Sequence, residues 1–407
     1  MSLPGPIARL EALPLMQCGF RPFFLGAAWI AVLDLALWAG LLWLGLPLPA
    51  VPGGPLAWHA YELLYGFGMA AVAGFLLTAV PEFTGSPAWG RRVTLGLLAL
   101  WLAGRLAFAA SGILGPLPAA LADLGLALAL AVLAAPRLLR DPTRRHTGFL
   151  PVLLALALTL AGFHFDALRG GDTMRWLYAG IGTMMMLVVM AMSRISTRMV
   201  NDALDALRTA GHDPGDPYRA PPPRRNFAIW AIGACTLAEW AAPDAPATGW
   251  LALAAAATVL NLLNDWHRGR VLLDRWVAML YGCYLSMALG YAAIGAARLF
   301  ELGPPSAGRH LLTIGAMSLA IYAAMSIASR RHGGWPLEQR AWLPLGAALL
   351  LAAALLRAAA GLGAPAAGAL LAASALLWLA AFLQWALRSH RVLTGPRPDG
   401  RVGCQDD

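Results

Sequence analysis

The stretch WHAYELLYGFGMAAVAGFLLTAVPEFTG, residues 58–85, decides the fold class of this chain. A histidine and a glutamate stand three positions apart near its start, and about four turns of almost purely apolar residues follow them. An apolar run of about 18 or more residues is long enough to cross the hydrocarbon core of a bilayer as an α-helix. The stretch therefore predicts a membrane-spanning helix with His59 and Glu62 at its mouth.

The amino-acid composition extends this interpretation to the whole chain. Of the 407 residues, 59% are hydrophobic and only 13% are charged, whereas about 25% of the residues of a soluble domain are charged. So many apolar side chains cannot all be buried in a water-soluble core. The lipid bilayer is therefore the expected partner of much of the protein surface.

Prolines, glycines and charged residues separate twelve apolar segments. We predict an all-α polytopic membrane protein with a single membrane domain over residues 1–407. The predicted spans are about 23–45, 60–80, 93–112, 117–135, 149–168, 174–193, 226–243, 248–264, 272–297, 308–328, 341–361 and 365–388. A proline- and arginine-rich linker, 194–225, separates a six-span half at 23–193 from a second half at 226–388, and a tail covers 389–407.

Arginine sets the predicted orientation, because loops rich in arginine alternate with loops nearly free of it along all twelve spans. The arginine-rich set comprises 91–92, 137–145, 194–225, 268–270, 330–340 and the tail from residue 388. The positive-inside rule then places both termini in the cytoplasm. Since loop topology accounts for the formal net charge of +9, we predict no nucleic-acid partner.

Ionisable side chains within the spans need a reason, because an unpaired charge at the bilayer centre costs at least about 2.5–3.5 kcal/mol. The five are Asp34, Glu62, Arg105, Glu239 and Arg357. Arg105 can pair with Asp34 or Glu62 if the first three spans pack together. Two interpretations stay open, a structural ion pair and a proton or ligand site.

Three histidines, His59, His164 and His310, fall at one membrane level on the predicted outer side. Imidazole ligates both haem iron and copper, so the three histidines predict a haem or metal site. Glu62 follows His59 at the spacing that lets its carboxylate orient the imidazole. The alternative is that His59 caps a helix interface and Glu62 bonds to a neighbouring helix.

The four cysteines indicate neither a disulfide framework nor a zinc site. None of them forms a CxxC pair, and no spacing typical of zinc ligands is present. Cys235 and Cys283 lie inside apolar spans, Cys18 precedes the first span and Cys404 lies in the tail.

Four blocks of the sequence resemble those of a known family. They are CGFRPFFLGAAW at 18–29, WHAYELLYGFGMAAVAGFLLTAVPEFTG at 58–85, RHLLTIGAMSLAIYAAMS at 309–326 and SRRHGGWPL at 329–337. In order and spacing they are similar to the NnrS family over nearly the whole chain. The resemblance implies a twelve-span protein of the bacterial inner membrane that contains haem and copper, has nitric oxide as its small-molecule ligand and protects against nitrosative stress.

The resemblance also implies which residues bind the cofactors. His59 and Glu62 match the family's HAHE element, and His310 matches the histidine that opens a later helix. His59 and His310 are therefore the expected axial ligands of haem. His332 matches a histidine in the loop after that later helix and is an expected metal ligand together with the first two. His164 is an additional cofactor-binding candidate.

Two tyrosines stand where the family pattern has histidine. Tyr61 occupies the second histidine position of HAHE, and Tyr281, in MLYGCY, occupies a histidine position expected in an LHxxY element. If both histidines are ligands in relatives, this chain binds fewer cofactors. A tyrosinate can ligate ferric haem, whereas a neutral tyrosine is a packing residue.

We therefore expect a haem-binding membrane protein, with copper as a second metal, in nitric oxide metabolism or the nitrosative-stress response. As an enzyme it would be an oxidoreductase that acts on nitric oxide. One alternative is a secondary transporter of major facilitator layout, because twelve spans, cytoplasmic termini and a central linker fit that layout. Another is a degenerate, non-catalytic membrane subunit or assembly partner, which the two tyrosines favour.

Overall fold

The computed structural model of the protein describes residues 5–213, 215–267, 269–401 and 403–404. Over these ranges the chain is built from helices, without a β-strand. Arg268, in one of the predicted arginine-rich loops, lies outside the described residues.

The described chain contains twelve helices of at least 18 residues, which we label in chain order. They are α1 (Phe20–Leu44), α2 (Gly54–Thr84), α3 (Arg91–Ala109), α4 (Leu117–Arg140), α5 (Phe149–Arg169), α6 (Thr173–Thr209), α7 (Pro222–Ala241), α8 (Pro246–Trp266), α9 (Arg275–Phe300), α10 (Pro305–Arg331), α11 (Trp342–Gly361) and α12 (Ala367–Thr394). Eleven of these are long and apolar enough to cross a membrane. The predicted class, an all-α multi-pass membrane protein, is confirmed.

The exception among the twelve helices is α7, which covers the predicted span 226–243. Its 20 residues include Arg224, Arg225 and Glu239. Three charged side chains make a helix of this length expensive to place across a bilayer. The structure thus supports eleven of the twelve predicted spans by length and composition, and the cytoplasmic position of the two termini stays a prediction.

Glycine and proline set the ends of α2. The helix follows Gly53, whose φ of 84° lies in the left-handed region, and carries Pro55 in its first turn. It ends at Gly85, which has a φ of 59°. Glycine adopts the left-handed conformation without strain, and proline is tolerated at a helix start because the N–H it lacks would have no intrahelical partner. These signals place His59 within the first two turns of α2.

The helix α6 runs further than the sequence suggests. It continues to Thr209, so the first half of the predicted linker, 194–225, is helical. The described residues between Thr209 and Pro222 are not helical, and α7 begins with prolines in its first turn. The prolines prevent a helix in the segment that contains them, but they do not shorten a helix that ends before them.

The chain divides into two compact units. Unit 1 comprises Met1–Gly180, Met325–Arg340 and Phe382–Asp407, and unit 2 comprises Ile181–Ala324 and Ala341–Ala381. Three helices, α6, α10 and α12, contribute residues to both units. The units therefore divide the chain at other positions than the predicted halves.

In unit 1, α2 is the central helix. In the most apolar 18 residues of α2, 89% of the stretch is buried inside the protein, against 33% in the corresponding stretches of α1 and α3. Helices α1 and α4 both pack against α2, and α4 also packs against α3 and α5. Outward-facing residues such as Leu106, Val132 and Leu158 stay exposed. An apolar outer surface around a buried central helix is the arrangement expected in lipid.

In unit 2, α9 packs against α8 on one side and against the start of α10 on the other, and α10 in turn packs against α11. Gly290 of α9 faces Gly308 of α10. A Cβ atom added to Gly308 would lie 2.5 Å from the carbonyl oxygen of Gly290. The two glycines therefore let the helix backbones approach closely, as small residues do between membrane helices.

A disulfide joins Cys18 to Cys404 within unit 1. The sequence analysis indicated no disulfide framework, and that interpretation is wrong for this pair. The two cysteines are 386 positions apart, and no local spacing rule detects a bond of that separation. Cys235 and Cys283 are free and buried.

Arg21, the arginine of GFRPFF, reinforces the same link. Its side chain is fully buried. Its Nη1 atom donates to the carbonyl oxygen of Pro14 at 3.1 Å and to that of Gly395 at 2.7 Å. Together with the disulfide, these bonds join the start of α1 to the chain that follows α12.

Candidate functional site

A short π-helical segment follows a candidate histidine in each unit. In α2 the segment Glu62–Gly68 begins three residues after His59. In α10 the segment Leu311–Ser318 begins directly after His310. π-helical turns are rare and occur frequently at functional sites. The two predicted axial ligands therefore both lie at the start of an irregular helix, one in unit 1 and one in unit 2.

Arg105 is the centre of a buried ion-pair network in unit 1. Its Nη1 atom donates to Oε2 of Glu62 at 2.7 Å, and its Nη2 atom donates to Oδ2 of Asp123 at 2.7 Å. All three side chains are nearly inaccessible, with at most 6% of each exposed. The network joins α2, α3 and α4, which is the buried pairing that charges inside a bilayer require.

Two glycines make room for the carboxylates of this network. A Cβ atom on Gly104 would lie 1.9 Å from Oδ1 of Asp123, and one on Gly66 would lie 2.6 Å from Oε2 of Glu62. Neither distance is compatible with a real side chain. The charged groups therefore depend on glycine at both positions for their close approach to the helices.

Tyr61 extends the network to His164. Its hydroxyl lies 2.5 Å from Oδ2 of Asp123 and 2.8 Å from Nε2 of His164. An ionised carboxylate only accepts, so the Tyr61 hydroxyl donates to Asp123 and accepts from Nε2–H of His164. Nδ1 of His164 then carries the lone pair, and this buried atom has no hydrogen-bond partner among the described residues.

Aromatic rings enclose Tyr61 on several sides. Phe108 stacks on it with a centroid distance of 3.9 Å, and Phe163 lies at 4.5 Å. The side chain is completely buried. Tyr61 thus acts in this structure as a packing residue and as a hydrogen-bond bridge. This gives a physical role to the tyrosine that stands where the family pattern has a histidine.

Asp34 is a third buried carboxyl group near Arg105. It lies on α1, is 2% exposed and interacts electrostatically with Glu62 and Arg105. Its Oδ2 atom has no hydrogen-bond partner among the described residues. Of the two partners predicted for Arg105, Glu62 is therefore confirmed as the direct one, and Asp34 is not in direct contact.

His59 lies one turn before Glu62 in α2. Its ring stacks on Trp38 of α1, with 4.3 Å between the ring centroids and an interplanar angle of 16°. The side chain is half-buried. Stacking on a rigid indole limits the orientations that the imidazole can adopt.

His310 has a defined tautomer in unit 2. Its Nδ1 atom lies 2.7 Å from the backbone carbonyl oxygen of Ser306, one turn earlier in α10. A carbonyl only accepts, so Nδ1 carries the proton and Nε2 carries the lone pair. A backbone bond of this kind is the usual way in which proteins orient a ligating histidine. The residue is half-buried.

Glu239 accepts from two arginines next to this histidine. Arg309 Nη2 lies 2.6 Å from Oε1 of Glu239, and Arg298 Nη2 lies 3.3 Å from the same oxygen. The three side chains are mostly buried. The intramembrane charge predicted at Glu239 is thus paired, and one of its partners, Arg309, immediately precedes His310 in the sequence.

The remaining candidates lie elsewhere. The hydroxyl of Tyr281 is 3.1 Å from Nε2 of His267, in the first turns of α9. His332 follows the last residue of α10, and its Nε2 atom lies 3.7 Å from Oε2 of Glu82 in unit 1. Since His310 lies near the first residue of the same 27-residue helix, the two histidines are at opposite ends of α10.

The described ranges of the chain contain no group of three or more histidine, cysteine, aspartate or glutamate side chains arranged to hold a metal ion. Copper binding therefore stays a prediction. A haem iron takes only one or two axial side chains. The prediction of haem binding therefore depends on individual histidines and not on a cluster of ligands.

The comparison with known families agrees with this architecture. A family model described as NnrS protein matches residues 14–397. The chain belongs to the NnrS family. No curated protein matches it. The match covers all twelve helices and leaves out only the residues before 14 and after 397. Both units therefore belong to the NnrS region.

Asp123 is the site residue that the sequence analysis missed. It bonds to both Arg105 and Tyr61 and therefore holds the network together. A signal was present, because Asp123 is the lone acidic residue in the apolar run LPAALADLGLALALAVLAAP. A single carboxyl group in such a run calls for a buried partner.

Proposed function

We propose that this NnrS family member is a haem-binding protein of the bacterial inner membrane that binds nitric oxide and acts in nitric oxide metabolism or the nitrosative-stress response. The observation that carries the proposal is the Nδ1–H bond from His310 to the Ser306 carbonyl. It leaves the Nε2 lone pair of a half-buried imidazole available to an iron.

The residues present fit an axial-ligand role to different degrees. His310 has the tautomer that leaves the Nε2 lone pair available, and the residue is half-buried. His59, held against Trp38, is the corresponding candidate in unit 1. His164 fits less well, because its Nε2 atom is engaged with the Tyr61 hydroxyl. We therefore assign the first two histidines to haem and the third to the hydrogen-bond network.

Haem, when bound, would supply an iron that can bind nitric oxide. The chain supplies the surroundings. Nitric oxide is small and apolar, so it can reach a site within the bilayer through lipid without a polar channel. The Arg105 network joins α2, α3 and α4 close to His59 in the sequence of α2. The Tyr61 hydroxyl donates its proton in a hydrogen bond to Asp123.

The cofactor content of the purified protein tests the proposal. We expect protein expressed with sufficient haem to show a Soret absorption band and a pyridine haemochrome, and its reduced form to change spectrum when nitric oxide is added. His310→Ala and His59→Ala should each lose haem or change the ligation spectrum. His390→Ala is the matched control, because that histidine is exposed in the last turns of α12.

The outcomes separate the proposal from its alternatives. A wild-type protein without a Soret band overturns haem binding. Spectra that are unchanged in both His59→Ala and His310→Ala would instead favour a family member in which neither residue ligates haem.

A secondary transporter is the second candidate, and the buried Arg105 network is the observation that favours it, because membrane transporters keep ionisable side chains on their pathways. Transport of a solute into vesicles that is abolished by Arg105→Gln, in protein that contains no haem, would support this candidate. Haem-loaded protein without such transport would exclude it.

A further inference from the structure

Unit 2 gathers an excess of positive charge around His310. Arg309 precedes this histidine in the sequence, and Arg298 reaches the same glutamate as Arg309. Glu239 offers one carboxylate to both guanidinium groups. Asp244 lies 3.5 Å from Arg298, but its side chain is almost fully exposed. Two mostly buried arginines thus share the carboxylate of Glu239.

Arg357 adds a third guanidinium. It lies on α11, whose Ala354 and Ala358 form a buried cluster with Ala307 and Leu311 of α10. The cluster brings the turn of α11 that carries Arg357 against the turn of α10 that carries His310.

Gly361 fixes the place of the Arg357 side chain more closely. A Cβ atom added to Gly361 would lie 3.3 Å from Nη1 of Arg357 and 3.4 Å from Cβ of Ala307. The guanidinium therefore lies next to the first turn of α10, and it interacts electrostatically with His310.

Arg357 forms no ion pair with a carboxylate in the part of the chain that the structure describes. Its side chain is half-buried. A guanidinium beside a histidine can bind an anionic group through charge-assisted hydrogen bonds. Together, the charges around His310 favour an anionic ligand at this position.

We propose that Arg357 binds a propionate carboxylate of the haem whose iron is held by Nε2 of His310. This assignment rests on the proposed function. A guanidinium presents a planar donor pair that matches a carboxylate. An imidazole lone pair beside an uncompensated guanidinium is complementary to a ligand that carries both a metal and carboxylates.

The test compares two iron porphyrins in the full-length protein, stripped of haem and held in a detergent without anionic lipid. One is haem, and the other is its dimethyl ester, in which the propionates are neutral. We expect the wild type to bind haem more tightly than the ester. Arg357→Gln should weaken haem binding by about tenfold or more and leave ester binding unchanged, because one charge-assisted hydrogen bond is lost.

Two further variants serve as controls. Arg357→Lys keeps the charge but loses the planar donor pair, so its haem affinity should fall between those of the wild type and Arg357→Gln. Arg219→Gln removes an exposed arginine from the segment before α7 and should bind both porphyrins like the wild type. Ester binding that is retained by Arg357→Gln shows that this variant is folded.

Each result decides between the claims. The propionate assignment is overturned if the wild type binds haem and the ester with equal affinity. It is also overturned if Arg357→Gln loses the binding of both porphyrins while Arg219→Gln binds them normally. In both cases the haem binding of the wild type stands. A wild type that binds neither porphyrin overturns the proposed function and this assignment with it.

Nitrite is titrated into the haem-free protein as a second experiment. Nitrite binding that requires Arg357 and persists when haem is added would assign the arginine to a free oxyanion and overturn the propionate assignment.

Discussion

Replacing Arg105 by glutamine should be among the most damaging single changes in unit 1. The side chain makes two charge-assisted hydrogen bonds of 2.7 Å, to Glu62 and Asp123. Bonds of this kind contribute about 1.5–3 kcal/mol each. Removal of one partner of a buried ion pair typically costs about 3–5 kcal/mol, because it leaves an uncompensated charge behind. We therefore expect Arg105→Gln to lower the free energy of unfolding by about 3–5 kcal/mol.

The free energy of unfolding can be measured by titration with sodium dodecyl sulfate in mixed micelles, followed by tryptophan fluorescence. Combining Arg105→Gln with Glu62→Gln and Asp123→Asn should recover about half of the loss, because no charge is then left unpaired. Arg92→Gln is the control. The side chain of Arg92 is 86% exposed, so its bond to Glu11 should contribute at most about 1 kcal/mol. An Arg105→Gln variant as stable as Arg92→Gln would refute the role given to the network.

Three other perturbations have definite expected outcomes. Gly104→Ala should lower the free energy of unfolding by about 1–3 kcal/mol in the same titration, because its Cβ would lie 1.9 Å from a carboxylate oxygen. Cys18→Ser should cost about 2–4 kcal/mol under oxidising conditions and nothing measurable under reducing ones. The ion pair with Arg397 lowers the pKa of Asp399 to about 2, so the stabilisation it gives is present above about pH 4 and disappears as the pH falls towards 2. The difference between the wild type and Asp399→Asn in pH-dependent melting should therefore shrink over that range.

Most of the spans can be predicted from the sequence, because apolar length is a strong signal in a membrane protein. The predicted span 226–243 is not among the eleven candidates by length and composition, because the helix that carries it includes Arg224, Arg225 and Glu239. The first part of the predicted linker is helical up to Thr209, because the prolines of the linker all come later in the sequence. The disulfide between Cys18 and Cys404 depends on tertiary structure and has no local signature.

The candidate site was predicted only in part. Charge inside an apolar span pointed correctly to Arg105 and Glu62. The same argument applied to Asp123 would have completed the ion-pair network. The family pattern drew attention to Tyr61 but gave it no role, since only the structure shows its bonds to Asp123 and His164. Ligand tautomers depend on backbone geometry, so the bond between His310 and Ser306 has no counterpart in sequence spacing.

The haem content of the purified, full-length protein decides whether this family member binds haem. We predict a Soret band and a pyridine haemochrome in the wild type, both diminished or shifted in His310→Ala and unaltered in His390→Ala. A wild type that is expressed with abundant haem and yet elutes colourless, or a His310→Ala variant with a fully normal haem spectrum, would contradict the account.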